Sequence, residues 1–554
     1  MRYVRFFVLL SFFFGNSFAL FSQDRYAVFF KFKPQTSLSL SNPKAFLTQK
    51  ALDRRTRENL QADSLDLPVA EKYLSQVLPL TRDFLYTSKW LNAAVVVTDD
   101  AKAKAIQALP FVDRVEMVAK GFLLRPGARL LPGESPIIFD STRIHPKWQL
   151  REAEVQTNAY DFQNQLIGID KMHQAGFTGK GVTVAVFDAG FPGMKTASSF
   201  AHLFTKNQVL GQKDFVRPWR TEVFVEHPHG VNVASLIASN EQAKLVAGAY
   251  DANFIFAITE EVATEYRIEE FNWVRAAEYA DSLGVDVINS SVGYIDFDDP
   301  ATTYTKQQLD GKTTYITRGA TIAAKKGILV VNSVGNYGGA GVSSLIAPAD
   351  AEGIISVGSV TTTSTVSGFS SRGPTADGRI KPELVAFGQS AILIRENGAV
   401  GTGQGTSFSA PQVAALAAGL WQARPEWKKD QVILNLLRSA SQYDKPDNNL
   451  GYGIPNFSKA YLGEILSIEE DEKSVIGLYP NPLTDGLLTI GFGTTTELDF
   501  KVIDLAGRMV VDRVLLRESK ASPFQVDLSK LRPGLYILQL TDGLQISRTK
   551  LIKK

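Results

Sequence analysis

The spacing of hydrophobic and polar positions divides the chain into stretches of different rhythm. "RYAVFFKFK" (25–33) and "NAAVVVTD" (92–99) alternate or run apolar over strand-like lengths, and "VDRVEMV" predicts a further strand. The charged stretch "NPKAFLTQKALDRRTRENL" and the segment "DDAKAKAIQAL" have helical spacing, so residues 23–120 read as a small α/β domain. From 121 to 158 the rhythm weakens and Pro126, Gly127, Pro132, Gly133 and Pro136 cluster, which marks a linker. Between 159 and 463 the apolar runs "GVTVAVFDAG", "ANFIFAIT", "VDVINSSVG", "GILVVNSVGN" and "IISVGSV" alternate with helical ones. Strands that are apolar throughout need cover on both faces, so this region is α/β with a parallel sheet between helices. Ligands of such sheets bind beyond the carboxyl ends of the strands, where Asp188, Ser291 and Asn336 stand. An acidic stretch, "SIEEDEKS", falls in a second linker (464–474), and period-two runs with Asp-Gly turns predict a C-terminal β-sandwich over 475–554.

Charge and composition narrow the function classes. Lysine plus arginine (59) nearly balances aspartate plus glutamate (57), so no global field draws the chain to nucleic acid or an anionic membrane. Residues 1–22 begin with Arg2 and Arg5, continue as an apolar run from Phe6 to Phe14 and end in small and polar residues, the pattern of a secretory signal peptide. A membrane anchor would need about 20 apolar residues, and Gly15-Asn16-Ser17 interrupts the run too early. The chain has no cysteine, which excludes thiol nucleophiles, disulfides and thiolate metal sites. Covalent catalysis is left to Ser, Thr, Lys or a carboxylate.

Two of the five histidines, His227 and His229, fall together in "FVEHPHGVNVASLIAS". A zinc pair would need a third ligand, and His145, His173 and His202 stand outside any ligand-like spacing, so no metal site is expected. At 401–411, "GTGQGTSFSAP" puts Ser407 just before the apolar helical run "QVAALAAGLW". Glycines permit a tight turn, proline suits a first helical turn, and the free N–H groups of a helix start favour negative charge. A cap of small residues without catalysis is the alternative. A serine nucleophile needs a base and the base an orienting carboxylate; "GVTVAVFDAGF" offers Asp188 and "HPHGVNVA" offers His229.

In order and local sequence, the V-A-V-F-D-A-G, H-G-x-x-V-A and G-T-S-F-S-A-P stretches resemble the subtilisin-like serine proteases (subtilases), whose triad runs Asp, His, Ser along the chain. "INSSVGY" (288–294), "LIAPAD" (345–350) and "FSSRGPTADGRIKPELVAFG" (369–388) extend the resemblance over nearly all of 159–463. It implies a subtilisin-like fold, Asp188, His229 and Ser407 as catalytic residues, and an oxyanion hole from Asn336, in "VVNSVGNYGG", and the Ser407 N–H. It also implies Ser291, Val292 and Gly293 along the substrate, with Ile346 closing off the first specificity pocket in favour of small side chains. His227 is then left for the substrate rim or solvent. Val231 and Asn232 depart from the family's usual Thr and His, a change expected to touch helix packing rather than proton transfer. No cofactor is required for the chemistry; a structural calcium ion stays open, since no Asp-rich loop has clear ligand spacing.

The leader is similar by position and pattern to subtilase propeptides, which implies a maturation cut between 121 and 158; a binding domain retained in the enzyme is the alternative. In the tail, "LYPNP" (478–482), "DLAGRMV" (504–510), "DLSKLRPGLYILQL" (527–540) and the final "KLIKK" resemble the C-terminal sorting domains of the type IX secretion system of Gram-negative bacteria. That implies export through this machinery and release or surface attachment; an ordinary substrate-binding module is the alternative. The function implied is a secreted, monomeric serine endopeptidase that hydrolyses protein or peptide substrates through an acyl-enzyme. An adhesin on the same scaffold would be marked by a lost triad residue, and none is lost. An esterase would carry G-x-S-x-G around Ser407, which is absent.

Overall fold

Every side chain of the strand Thr183–Asp188 is buried, Val184 and Val186 in one apolar core and Ala185 and Phe187 in another. Side chains alternate in direction along a strand, so two cores require layers on both faces of its sheet. The computed structural model describes residues 23–34, 38–130, 134, 136–137, 145, 147, 160–462, 477–491, 496–517, 523–541 and 546–554. The expected signal peptide and most of both linkers lie outside the described residues. Two units result, divided between Gly463 and Glu464.

The first unit begins with β1 (Asp24–Phe30), α1 (Gln49–Glu58), α2 (Glu71–Val77), β2 (Asp83–Ser88), β3 (Ala93–Thr98), α3 (Asp100–Gln107) and β4 (Val112–Ala119). The strands form an antiparallel sheet in the order β2-β3-β1-β4. The three strands and two helices expected are present, and β2 and α2 are additional. Phe84, Leu85 and Tyr86 of β2 are consecutive rather than alternating, so period two gave no signal there.

The larger part holds α4 (Asp161–Leu166), α5 (Ile169–Gln174), β5 (Thr183–Asp188), α6 (Ala201–Thr205), β6 (Val209–Asp214), α7 (His229–Ala238), a short β7–β8 hairpin (Asn240–Glu241 and Leu245–Val246) and β9 (Asn253–Ile258). It continues with α8 (Ile268–Leu283), β10 (Val287–Ser290), α9 (Tyr315–Lys325), β11 (Leu329–Ser333), β12 (Ile355–Val360), β13 (Leu384–Phe387), a β14–β15 hairpin (Ala391–Ile394 and Val400–Gly403), α10 (Ala410–Ala423), α11 (Lys429–Ser439) and α12 (Phe457–Leu462). Seven strands form one parallel sheet in the order β13-β12-β11-β10-β5-β9-β6. The five apolar runs of the sequence are its five inner strands. The two edges, β6 (VLGQKD) and β13 (LVAF), were not expected, because one is polar and the other only four residues long.

α7 and α10 cover one face of this sheet, while α8 and α9 cover the other and carry the N-terminal domain on their outer side. Phe29 of β1 stacks on Tyr315 at 5.5 Å and meets Phe271 edge-on at 5.9 Å. Glu278 of α8 accepts the Ser88 hydroxyl and the Lys89 and Trp90 N–H groups at 2.6 to 3.1 Å. From α1, the buried Arg54 donates to the carbonyls of Val285 (2.5 Å) and Lys326 (3.2 Å) and pairs with Asp281, which also takes Arg55 at 3.1 Å. Burial acts to raise the Asp281 pKa, but Arg54, Arg55 and Lys89 outweigh it and hold the carboxyl below its ordinary range.

The second unit contains β16 (Gly477–Tyr479), β17 (Leu487–Gly491), β18 (Glu497–Asp504), β19 (Met509–Leu516), β20 (Phe524–Asp527), β21 (Gly534–Thr541) and β22 (Ile546–Lys553). Two antiparallel sheets, β16-β17-β20 and β19-β18-β21-β22, enclose one core that includes Leu488, Ile490, Phe500, Val502, Phe524, Leu538 and Leu540. This is the expected sandwich. Among the described residues, no helix is long and apolar enough to cross a membrane.

Removing one partner of a buried ion pair leaves the other charge uncompensated. Asp281→Ala is therefore expected to lower the stability of the uncut chain by about 3–5 kcal/mol in chemical denaturation. A loss under about 1 kcal/mol, as for exposed pairs, would show that Arg54 finds equivalent partners.

Candidate active site

Asp188, the last residue of β5, is fully buried, and its Oδ1 accepts the Ala189 N–H at 2.7 Å and the His229 Nδ1–H at 2.8 Å. The chain leaving β5 lies against the chain that enters α7. Phe191 N–H donates to the carbonyls of Val223 and Val225, Gly190 forms an antiparallel bridge with Glu226, and His227 N–H approaches Ala189 O at 3.5 Å. A Cβ on Gly230 would stand 2.2 Å from Gly190 O and 2.9 Å from the Asp188 Cβ, so only glycine lets the helix start so close to the carboxylate. With Nδ1–H committed to Asp188, the neutral imidazole presents Nε2 as an acceptor. Val231 and Asn232 are buried within α7, so the departure from the family pattern is taken up in packing.

His227 is buried, and its Nδ1 accepts the backbone N–H of His229 at 3.3 Å. It thus satisfies one of the donors that a helix start leaves without an intrahelical partner. An Nδ1 acceptor must be unprotonated; burial, reinforced by the neighbouring His229, pushes its pKa down to about 4. This buried capping position replaces the rim or solvent expected for it. His173 and His202 each approach a backbone carbonyl at 3.1 Å, those of Gly248 and Tyr250. Among the described residues, no group of three or more His, Asp or Glu side chains is placed to hold a metal ion.

Gly405, at φ +151°, turns the chain into a single 3-10 turn, Thr406–Phe408, which feeds α10 with Pro411 in its first turn. Ser407 stands in that turn. Its hydroxyl donates to Ser291 O at 3.2 Å, and the Ser291 hydroxyl donates back to Ser407 O at 2.9 Å. The Phe408 ring, one residue on, lies 5.8 Å from the His229 ring. Carboxylate, imidazole and hydroxyl thus come from three elements at the carboxyl edge of the sheet.

Asn336, three residues beyond β11, is exposed, and its Oδ1 accepts the Thr406 N–H at 2.9 Å and the Thr406 hydroxyl at 3.1 Å. A backbone N–H can only donate, so it assigns the amide oxygen and leaves Nδ2 as the outward donor. Thr406 was in view in G-T-S but was not singled out; its orienting role depends on a residue 70 positions away. Ser291 and Val292 are each 4% exposed, so this segment offers its backbone and Gly293 rather than side chains. Tyr294 pairs with Ala347 through bonds of 2.8 and 3.0 Å, which brings Ile346 over Gly293. A Cβ on Gly293 would lie 2.7 Å from the Ile346 Cδ1, and one on Gly335 2.9 Å from its Cγ1. Ile346 fills the space between two glycine walls.

Comparison with known proteins bears on the family and the fold. The subtilase family model matches residues 179–453, a Bacteroidota propeptide domain of peptidase family S8 matches 25–125, and a secretion-system C-terminal sorting domain matches 477–554. Subtilisin of Bacillus pumilus is 30% identical over 292 residues, covering 52% of this chain and 94% of that protein. Subtilisin E of Bacillus subtilis (strain 168) is 30% identical over 292 residues, covering 52% of this chain and 68% of that protein. The crystal structure of the epidermin leader peptide processing serine protease (EpiP) from Staphylococcus aureus superposes with a TM-score of 0.53 at 16% identity, over 80% of this chain and 98% of that one, a likeness of fold. The sorting domain indicates type IX secretion to the outer surface or the extracellular space. The chain belongs to the subtilase family: it is a serine endopeptidase with a propeptide domain before the catalytic domain and a secretion sorting domain after it.

Proposed function

We propose that this endopeptidase cuts extended segments of protein or peptide substrates through an Asp188–His229–Ser407 triad and an acyl-enzyme. The observation that carries this reading is the pairing of a buried Asp188–His229 bond with an Asn336 amide fixed by Thr406, the neighbour of Ser407. In the reaction, the Ser407 hydroxyl turns from the Ser291 carbonyl to His229 and attacks the scissile carbonyl carbon as its proton passes to Nε2. Asp188 holds the imidazolium, and Asn336 Nδ2–H with the Ser407 N–H receives the oxyanion. The C–N bond breaks as His229 gives its proton to the leaving amine. Water, deprotonated by the same nitrogen, then releases the acid and restores Ser407.

Substrate pairs with the backbone edge at 291–293 as an added strand. Ile346 limits the side chain before the scissile bond to small residues. The enzyme acts as a monomer after a cut between residues 121 and 158 frees the catalytic domain from its propeptide.

A fluorophosphonate probe is expected to label the processed protein and not its Ser407→Ala variant; equal labelling of both would remove Ser407 as nucleophile. Asn336→Ala is expected to lower kcat by about 10²- to 10³-fold, the cost of losing such a donor in subtilisin, with KM little changed. Ile346→Gly should shift kcat/KM for Phe over Ala before the scissile bond by roughly tenfold, and an unmoved ratio would place the specificity pocket elsewhere. His227 binds its proton near pH 4 when folded and near its ordinary 6.5 when unfolded. The unfolded chain therefore holds more protons between these values, and stability falls as pH drops from about 6.5 to about 4. In a Ser407→Ala background, which prevents autolysis, His227→Asn should flatten this part of the stability curve by on the order of 3 kcal/mol. Identical slopes with and without the substitution would contradict it.

A further inference from the structure

Beyond β9 the chain carries a group of buried glutamates, among them Glu260, Glu261, Glu265 and Glu269, none more than 2% exposed. So many carboxylates in one buried region are costly unless cations share it. Among the described residues, Arg25 and Lys147 pair with them, and both come from outside the catalytic domain. Arg25 of β1 pairs with Glu261. Lys147, in the expected linker, extends Nζ to Glu265 Oε1 at 2.6 Å, Glu260 Oε2 at 3.3 Å and Glu269 Oε2 at 4.0 Å.

This cage adjoins the cleft. Thr259, just before Glu260, donates its N–H to the Asp188 carbonyl at 3.0 Å. Tyr294, which follows the 291–293 edge, donates its hydroxyl to Glu260 Oε1 at 2.5 Å, and its ring lies 4.8 Å from the Lys147 ammonium. The linker engages the same wall by its backbone, with His145 N–H donating to Val262 O at 2.9 Å. The linker is thus held at two described points, by the His145 backbone and by the Lys147 side chain, which stays 20% exposed.

The cage remains electron-rich even around Lys147. Glu265 Oε2 lies 2.5 Å from the Lys147 Nζ, whereas Glu269 Oε2, 4.0 Å from it, is a buried acceptor with no hydrogen-bond donor among the described residues. Burial drives the Glu265 carboxyl up to about 7 against the opposing pull of Lys147, while burial and then Glu265 hold Glu269 well above its ordinary range. For Lys147, burial works to lower the pKa, but Glu265, Glu269 and Glu260 prevail and keep the ammonium charged. Glu269 Oε1 accepts the Glu261 N–H, which fixes that carboxylate, and the Glu265 N–H donates to Asp298, which fixes the backbone there.

We infer that the pocket formed by Glu260, Glu265 and Glu269 beside Tyr294 is a substrate subsite for a lysine or arginine side chain, filled by Lys147 as an internal pseudosubstrate in the uncut chain. The inference rests on the protease reading above: once the propeptide and linker leave, Arg25 and Lys147 leave with them, and a basic side chain of the substrate replaces the lost ammonium. The cleft would then combine a small residue at the scissile bond with a basic residue farther along.

The test is a set of fluorogenic peptides carrying Lys, Arg, norleucine or Glu at successive positions before the scissile bond, cut by the processed enzyme. Expected is one position where Lys and Arg exceed norleucine in kcat/KM by about tenfold or more, with Glu below norleucine. In Glu265→Gln and Glu269→Gln the Lys-to-norleucine ratio at that position should fall towards one. Equal rates for Lys and norleucine at every position, or an unchanged ratio in both variants, would overturn the subsite. The wild-type comparison needs no variant, so a misfolded substitution does not weaken it. Cleavage without basic preference rejects the pocket alone, whereas no cleavage together with no probe on Ser407 removes the protease reading and the pocket with it.

Discussion

The close approach of α7 to the end of β5 is the contact on which the site depends. It exists because Gly230 has no side chain to strike Gly190 O and the Asp188 Cβ. From it follow the 2.8 Å bond between Asp188 and His229 and the direction in which Nε2 faces. The same geometry leaves the His229 N–H without an intrahelical acceptor, a role that the neutral, buried His227 fills. Of the two neighbouring histidines, one bonds the Asp188 carboxylate and the other accepts the N–H at the start of its helix.

The other half of the site is organised from a distance. Asn336 and Ser407 are carried by different elements, and Thr406 ties them by taking up the amide oxygen with its N–H and hydroxyl. Ser291 ties the cleft edge to the same turn through a reciprocal pair of hydrogen bonds. These donors and acceptors are held by the protein itself, as the proposed stabilisation of an oxyanion requires.

The propeptide domain meets the catalytic domain through an unusual amount of buried charge. Asp281 and Glu278 on α8 and Glu261 beyond β9 receive Arg54, Arg55, Ser88 and Arg25, while Lys147 enters the neighbouring glutamate cage. Buried ion pairs add little net stability compared with apolar packing, but each half is costly without the other. Such an interface therefore specifies its partner closely, and it makes the acidic wall of the cleft dependent on a cation from elsewhere.

Much of this was legible in the sequence, because the chemistry of the site sits in short, contiguous motifs. The inner strands are long apolar runs, and Asp188, His229, Ser407 and Asn336 each stand in a local context that dictates its own turn or helix start. The edge strands β6 and β13 were not legible, since polarity and brevity remove the periodic signal. Nor was the role of His227, which depends on how far α7 is buried, or the glutamate cage, whose members look along the chain like the charged residues of an ordinary helix entrance. The sequence by itself determined which groups can react, since residue type and local backbone preference are properties of a few neighbouring residues. Only the tertiary structure decided what surrounds them, because burial, charge pairing and the meeting of Lys147 with Glu265 depend on segments more than 100 residues apart.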